Sequence, residues 1–161
     1  MKKLIAIVLA ALMLCAMTAC TENEGTPTTT PTKVEGYTFT FQGLDLVPGA
    51  DFDAAALSIV ESFENPNCAG EGKFITYLHD GMELTVNTNN GKTVVYSVFI
   101  TDPNLATNEG LHLGDDLAAV NAAYGEATSE DDGLLTYVKN KTHLVIQLEN
   151  ELVTAIEFRL A

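Results

Sequence analysis

Gly110-Leu-His-Leu-Gly114-Asp-Asp-Leu-Ala-Ala-Val120-Asn-Ala-Ala-Tyr124-Gly125 reads as a strand that turns sharply into a helix. Gly114 permits a turn that a side chain would hinder, and Asp115 can cap the helix. Leu117, Val120 and Tyr124 fall on one helical face, and Gly125 is placed to end the helix in a left-handed conformation. A fainter version lies upstream. It begins at Gly43-Leu-Asp-Leu46, passes through Gly49, and continues into Phe52, Ala55, Ala56, Ile59, Val60 and Phe63. That i, i+3, i+4, i+7 spacing predicts a second amphipathic helix, with Asp51 as N-cap, Asp53 near the positive end of its dipole, and Asn65-Pro66-Asn67 as its stop.

Outward from these two stretches the pattern changes to period 2. Tyr37, Phe39 and Phe41 alternate with Thr38, Thr40 and Gln42, as a strand with one buried face does. Strand-like runs follow at Lys73 to His79, Met82 to Thr88 and Thr93 to Thr101, and again at Leu134 to Lys139, Thr142 to Leu148 and Glu151 to Leu160. Asp80-Gly81, Asn90-Gly91, Asp132-Gly133, Asn140-Lys141 and Glu149-Asn150 supply the turns. Tyr77 to Asn87 aligns without a gap on Tyr137 to Gln147, and Val95 to Ile100 on Val153 to Phe158. The predicted fold is therefore α+β: two tandem repeats, 34–102 and 103–161, each a helix packed on an antiparallel β-meander.

The N-terminal part reads as a targeting segment. Lys2 and Lys3 precede an apolar run, Leu4 to Met17, that is too short for an ordinary membrane span and suits a signal-peptide core. Met17-Thr18-Ala19-Cys20 resembles the bacterial lipobox, so residues 1–19 are expected to be removed and Cys20 lipidated. The Thr- and Pro-rich stretch to Lys33 reads as a tether. These features imply a lipid-anchored protein at the extracytoplasmic face of the cell membrane. Eight basic residues stand against 22 acidic ones, and two of the basic residues go with the leader. Such a field repels nucleic acid and anionic headgroups, and no basic stripe is present. With Cys15 removed and Cys20 lipidated, Cys68 has no cysteine to pair with inside the chain.

The Gly-apolar-x-apolar-Gly-Asp pattern with Val120 and Tyr124-Gly125, followed by a meander, resembles a family that joins two groups. One is the small outer-membrane assembly lipoproteins of the SmpA/OmlA (BamE) type, and the other is the β-lactamase inhibitory proteins. The tandem arrangement from Tyr37 to Leu160 resembles the inhibitory proteins more, and it is also similar to uncharacterised lipoproteins of Gram-positive anaerobes. In the inhibitory proteins two helix-plus-sheet repeats form a joint sheet whose concave face grips an enzyme. The resemblance thus implies a binding surface and not a catalyst. The inhibitory proteins carry disulfides and no lipid, which this chain reverses.

Cys68 with a histidine would suit a small hydrolase or thiol enzyme, but it sits in the loop Asn67-Cys-Ala-Gly70 with no motif linking it to His79, His112 or His143. The histidines are spaced too widely for a zinc pattern. Asp51-Phe-Asp53, Asp115-Asp116 and Glu130-Asp131-Asp132 lack the ligand run of a calcium loop and read as helix caps and a solvated loop. No catalytic, cofactor or metal residue is therefore assigned, and no cofactor is expected. The expected function is a lipid-anchored module that binds another envelope or secreted protein through its sheet face, with Tyr77 and Tyr96 as candidate contacts. The alternatives are a Cys68 enzyme and an assembly or structural protein of the envelope.

Overall fold

A computed structural model of the chain describes residues 35–66 and 70–161. The first described element is a small hairpin, β1 (Phe39–Phe41) and β2 (Leu44–Leu46), paired Phe39 with Leu46 and Phe41 with Leu44. One 3₁₀ turn follows at Ala54–Ala56. Next come β3 (Glu61–Pro66), β4 (Lys73–His79), β5 (Met82–Asn89) and β6 (Lys92–Ile100). The one α-helix among the described residues, α1 (Leu117–Tyr124), precedes β7 (Ser129–Asp131), β8 (Leu134–Lys139), β9 (Thr142–Glu149) and β10 (Leu152–Leu160). Strands β3 to β10 make one antiparallel sheet of eight, in the order β3-β4-β5-β6-β10-β9-β8-β7.

The protein is thus mainly β, and the expectation of two helix-on-meander repeats is overturned. The predicted helix over Phe52 to Phe63 is absent. Of its apolar positions Phe52 packs against the core, but the far end is not drawn in: Val60 is 76% exposed and Phe63 46%. Instead Glu61 to Pro66 pair with Leu78 back to Lys73, and that ladder satisfies the backbone that a helix would otherwise have satisfied. Asp53, not Asp51, caps the short turn by accepting from the Ala55 amide at 2.9 Å, while Asp51 pairs with Lys92 at 3.0 Å. The stretch from Gly110 keeps its helix and loses its strand. Leu111 is buried in an irregular loop, and its amide donates to the Thr107 hydroxyl. Asp116 caps α1, accepting from the Ala119 amide at 2.8 Å; Asp115 instead accepts from the His112 amide at 2.7 Å. Gly125 ends the helix at φ +74°, ψ −150°, a conformation no side chain tolerates well. Glu130 and Asp131, read as loop, form the edge strand β7.

Two in-register rows run across the sheet and define its buried face. One is Tyr77, Leu84, Val98, Phe158, Leu144 and Tyr137 on β4, β5, β6, β10, β9 and β8. The next is His79, Met82, Ile100, Ile156, Ile146 and Leu135 on the same strands. The β1–β2 hairpin, Leu57, Leu111 and Val120 of α1 close over them in one apolar cluster. Phe39 stacks on Phe158 with ring centroids 5.8 Å apart. Each aliphatic or aromatic side chain sealed here contributes about 1.5–3 kcal/mol relative to exposure.

Three tyrosines pin α1 to the sheet and to the incoming chain. The Tyr124 ring meets Tyr37 edge-on at 6.2 Å and Tyr137 at 5.6 Å, and its hydroxyl donates to the Glu109 carboxylate at 2.6 Å. Burial, then the bond to Glu109, pushes the Tyr124 phenol well above its ordinary range; burial first also raises Tyr37 and Tyr137. A raised phenol means that the folded state keeps a proton the unfolded chain releases. The stability it lends is therefore full below about pH 10 and falls as pH climbs beyond it. Thermal melts between pH 8 and 11.5 are expected to show that alkaline decline, and Tyr124→Phe to flatten it while costing about 1 kcal/mol at neutral pH. An unchanged alkaline slope in the variant would count against this assignment.

Candidate interaction face

The opposite side of the sheet is built by the alternate residues of the same strands, because successive side chains in a strand point to opposite faces. Two β-bulges change which residues those are. Between Thr85 and Val86 the β6 register slips past Tyr96, and between Val153 and Ala155 the β9–β10 register slips past Thr154. Val95 and Val98 consequently both face the core, and both are buried. Ser97 and Phe99 face outward, joined there by the bulged Tyr96, whose ring lies 4.6 Å from that of Phe74 on β4.

No described element packs across this outer face, yet it carries large apolar groups. Phe63 is 46% exposed, Val138 44%, Tyr96 38% and Phe99 36%. The small residues among them are covered by their neighbours, with Thr76 at 8% and Ser97 at 9% exposure. Thr76 and Thr85 share a hydroxyl hydrogen bond of 3.0 Å, which ties β4 to β5 in the middle of the face. Glu61, Glu83 and Glu157 occupy outward positions by register, opposite Leu78, Phe99 and Val145. Arg159, also outward, reaches Glu157 at 3.6 Å. The face is an aromatic and aliphatic patch threaded by carboxylates.

The residues singled out from sequence are dispersed. Tyr96 is on the outer face as expected, but Tyr77 is not: its side chain lies in the core-facing row with its ring 6.0 Å from Phe52. His79 lies on the covered side against Phe41 at 4.6 Å, and both of its ring nitrogens are buried without a hydrogen-bond partner among the described residues. His112 sits 3.6 Å from Asp115 in the loop before α1. His143 pairs with Arg159 and Val138 on the outer side. The structure brings no two of these three histidines together by any bond or ring contact. Cys20 and Cys68 lie outside the described residues, so the thiol reading gains no geometry. Asp132 sits in the turn after β7 at φ +48°. Among the described residues no group of three or more His, Cys, Asp or Glu side chains is arranged to hold a metal ion.

Phe63 and Phe99 are exposed aromatics of this face that the sequence pattern does not single out. Phe63 was assigned to a helix that does not form. Phe99 lies in the run Val98-Phe99-Ile100, whose inward and outward sense depends on the bulge at Tyr96. Shallow hollows flank α1; one of about 230 Å³ is lined by Leu117, Asn121, Glu126, Glu130 and Tyr137 among others. Among the described residues no helix is long and apolar enough to cross a membrane.

Fold and face together define a mainly-β domain with one covered and one open sheet face. The chain matches no protein-family model, and comparisons with curated proteins and with solved structures find no match.

Proposed function

We propose that the chain is a lipid-anchored, extracytoplasmic protein-binding module whose docking surface is the open face of the eight-stranded sheet. The observation that supports this is the exposed cluster of Phe63, Tyr96 and Phe99 on the side of the sheet that no described element covers. Exposed aromatic side chains cost solubility when left in water, and contiguous apolar patches rimmed by polar groups mark interaction sites. Tyr and Phe are also among the residue types enriched in interfaces. The anchor in this reading is Cys20, with residues 20–33 as the tether; this part rests on the sequence alone. The family resemblance is in keeping with a role in binding, although the fold expected from it is not the one observed.

The test is affinity capture from the native cell envelope with the lipidated full chain and with Tyr96→Ala/Phe99→Ala. A protein held by the parent is expected to bind the double variant about 10-fold or more weaker, as for loss of an aromatic anchor. Thr154→Ala, outside the aromatic patch, should leave capture unchanged. Equal capture by the parent and the aromatic double variant would end this reading.

A further inference from the structure

The open face holds an ordered row whose chemistry is more specific than an apolar patch. Leu78, Glu83, Phe99, Glu157 and Val145 are direct cross-strand partners on β4, β5, β6, β10 and β9. Neighbours of this kind have Cβ atoms about 4.5–5.5 Å apart. The Phe99 ring, about one-third exposed, is therefore bracketed by one carboxylate on each side, with an aliphatic group beyond each. Glu83 is exposed and has no ion pair among the described residues, and Glu157 meets only Arg159, at 3.6 Å. Among the described residues the one cation over an aromatic ring is Lys139 over Tyr37, on the other face; Phe99 has none.

Folding does not call for this arrangement. Burial of the inner rows drives the sheet, and threonine or serine at positions 83 and 157 would serve the outer face as well. What the bracket does suit is a planar cation. A guanidinium can lie on the ring face and turn its N–H fork to the carboxylates, whereas an ammonium is a point charge with a stronger hydration shell. We propose that Glu83, Phe99 and Glu157 form a receptor for an arginine side chain on a basic partner protein. This deepens the docking function given above and rests on it. The excess of 22 acidic over eight basic residues in the chain steers such a partner in, and it repels nucleic acid and anionic bilayers.

Calorimetric titration of the full-length chain in mild detergent tests the receptor, with the synthetic peptide Arg-Phe-Arg-Leu-Arg-Phe-Arg as probe. Its Lys and Glu counterparts serve as comparisons. The arginine peptide is expected to bind several-fold tighter than the lysine one, and the glutamate peptide not to bind. Glu83→Gln/Glu157→Gln, which keeps shape and polarity, should weaken the arginine peptide about 10-fold and flatten its salt dependence. Phe99→Leu should remove the preference for arginine over lysine. Glu126→Gln/Glu130→Gln, the same charge change away from the face, should have little effect; an equal loss there would mean general attraction to an acidic protein and overturn the receptor. Unchanged binding in Glu83→Gln/Glu157→Gln overturns it too, as does Phe99-dependent adsorption to phosphatidylglycerol vesicles in place of peptide binding. If Tyr96→Ala/Phe99→Ala loses the envelope partner while Glu83→Gln/Glu157→Gln keeps it, the docking face stands and the arginine receptor falls.

Discussion

Phe158→Ala is expected to lower the unfolding free energy by about 3–5 kcal/mol, the range for removing a fully buried aromatic from a core. Phe158 has no exposed surface, stacks on Phe39 of the covering hairpin, and lies between Val98 and Leu144 in the row that crosses the six central strands. Truncation removes the ring from the place where the hairpin meets the sheet. A typical domain has only about 5–15 kcal/mol to lose, so the variant should sit near its threshold at physiological temperature. Urea titration reads the effect as a fall in midpoint at unchanged slope. Phe99→Ala provides the contrast, since its ring is on the open face; its cost should be about 1 kcal/mol or less. Comparable losses in the two variants would mean that the assignment of covered and open faces is wrong.

The second large effect concerns a hydroxyl. Thr142 is completely buried, and its Oγ1 accepts from the Tyr37 amide at 2.8 Å while donating to the Lys139 carbonyl at 2.8 Å. One side chain thereby joins the chain entering the domain to the β8–β9 turn. Gly36 passes so close that a Cβ there would overlap the Thr142 side chain. Thr142→Val preserves shape and removes the hydroxyl, so the Tyr37 amide and the Lys139 carbonyl, both part-buried, lose that partner. Each bond contributes about 0.5–1.5 kcal/mol, so a loss of about 1–3 kcal/mol is expected. Thr142→Ser keeps the oxygen and should lose about 1 kcal/mol, for one methyl group. Hydrogen exchange adds a local readout: the Tyr37 amide should exchange far faster in the valine variant than in the serine one. A valine variant as stable as the parent would show that water replaces the lost bonds.

The six central strands of the sheet were legible from sequence, with ends within a residue or two, because alternation and turn residues agree there. Asn90-Gly91 takes positive φ at both central positions, the geometry that joins twisted antiparallel strands, and the turn expected at Glu149-Asn150 falls one residue later, at Asn150-Glu151, with the same geometry. The helix expected over Phe52 to Phe63 was misread because apolar spacing says nothing about whether a core exists to receive it. Val60 and Phe63 stay largely in solvent, and pairing with β4 decides the conformation of that segment. Strand β7 was invisible for the opposite reason. Ser129, Glu130 and Asp131 bury nothing and are held by backbone pairing to β8. The open face was only partly readable. Tyr96 is readable as a candidate by its place in an alternating strand, but the facing of Phe99 depends on a bulge that only the register between strands reveals.

The strand order has a kinetic consequence. Every pairing in the large sheet joins strands consecutive in sequence except one, the β6–β10 seam, which is held by four residue pairs from Ser97–Arg159 to Ile100–Ile156. Local hairpins close early and at small entropic cost, whereas the seam must first close the loop containing α1 and three further strands. The seam is thus the step at which topology limits the folding rate. In chevron analysis, Phe158 variants should lose part of their stability as slower folding and not solely as faster unfolding.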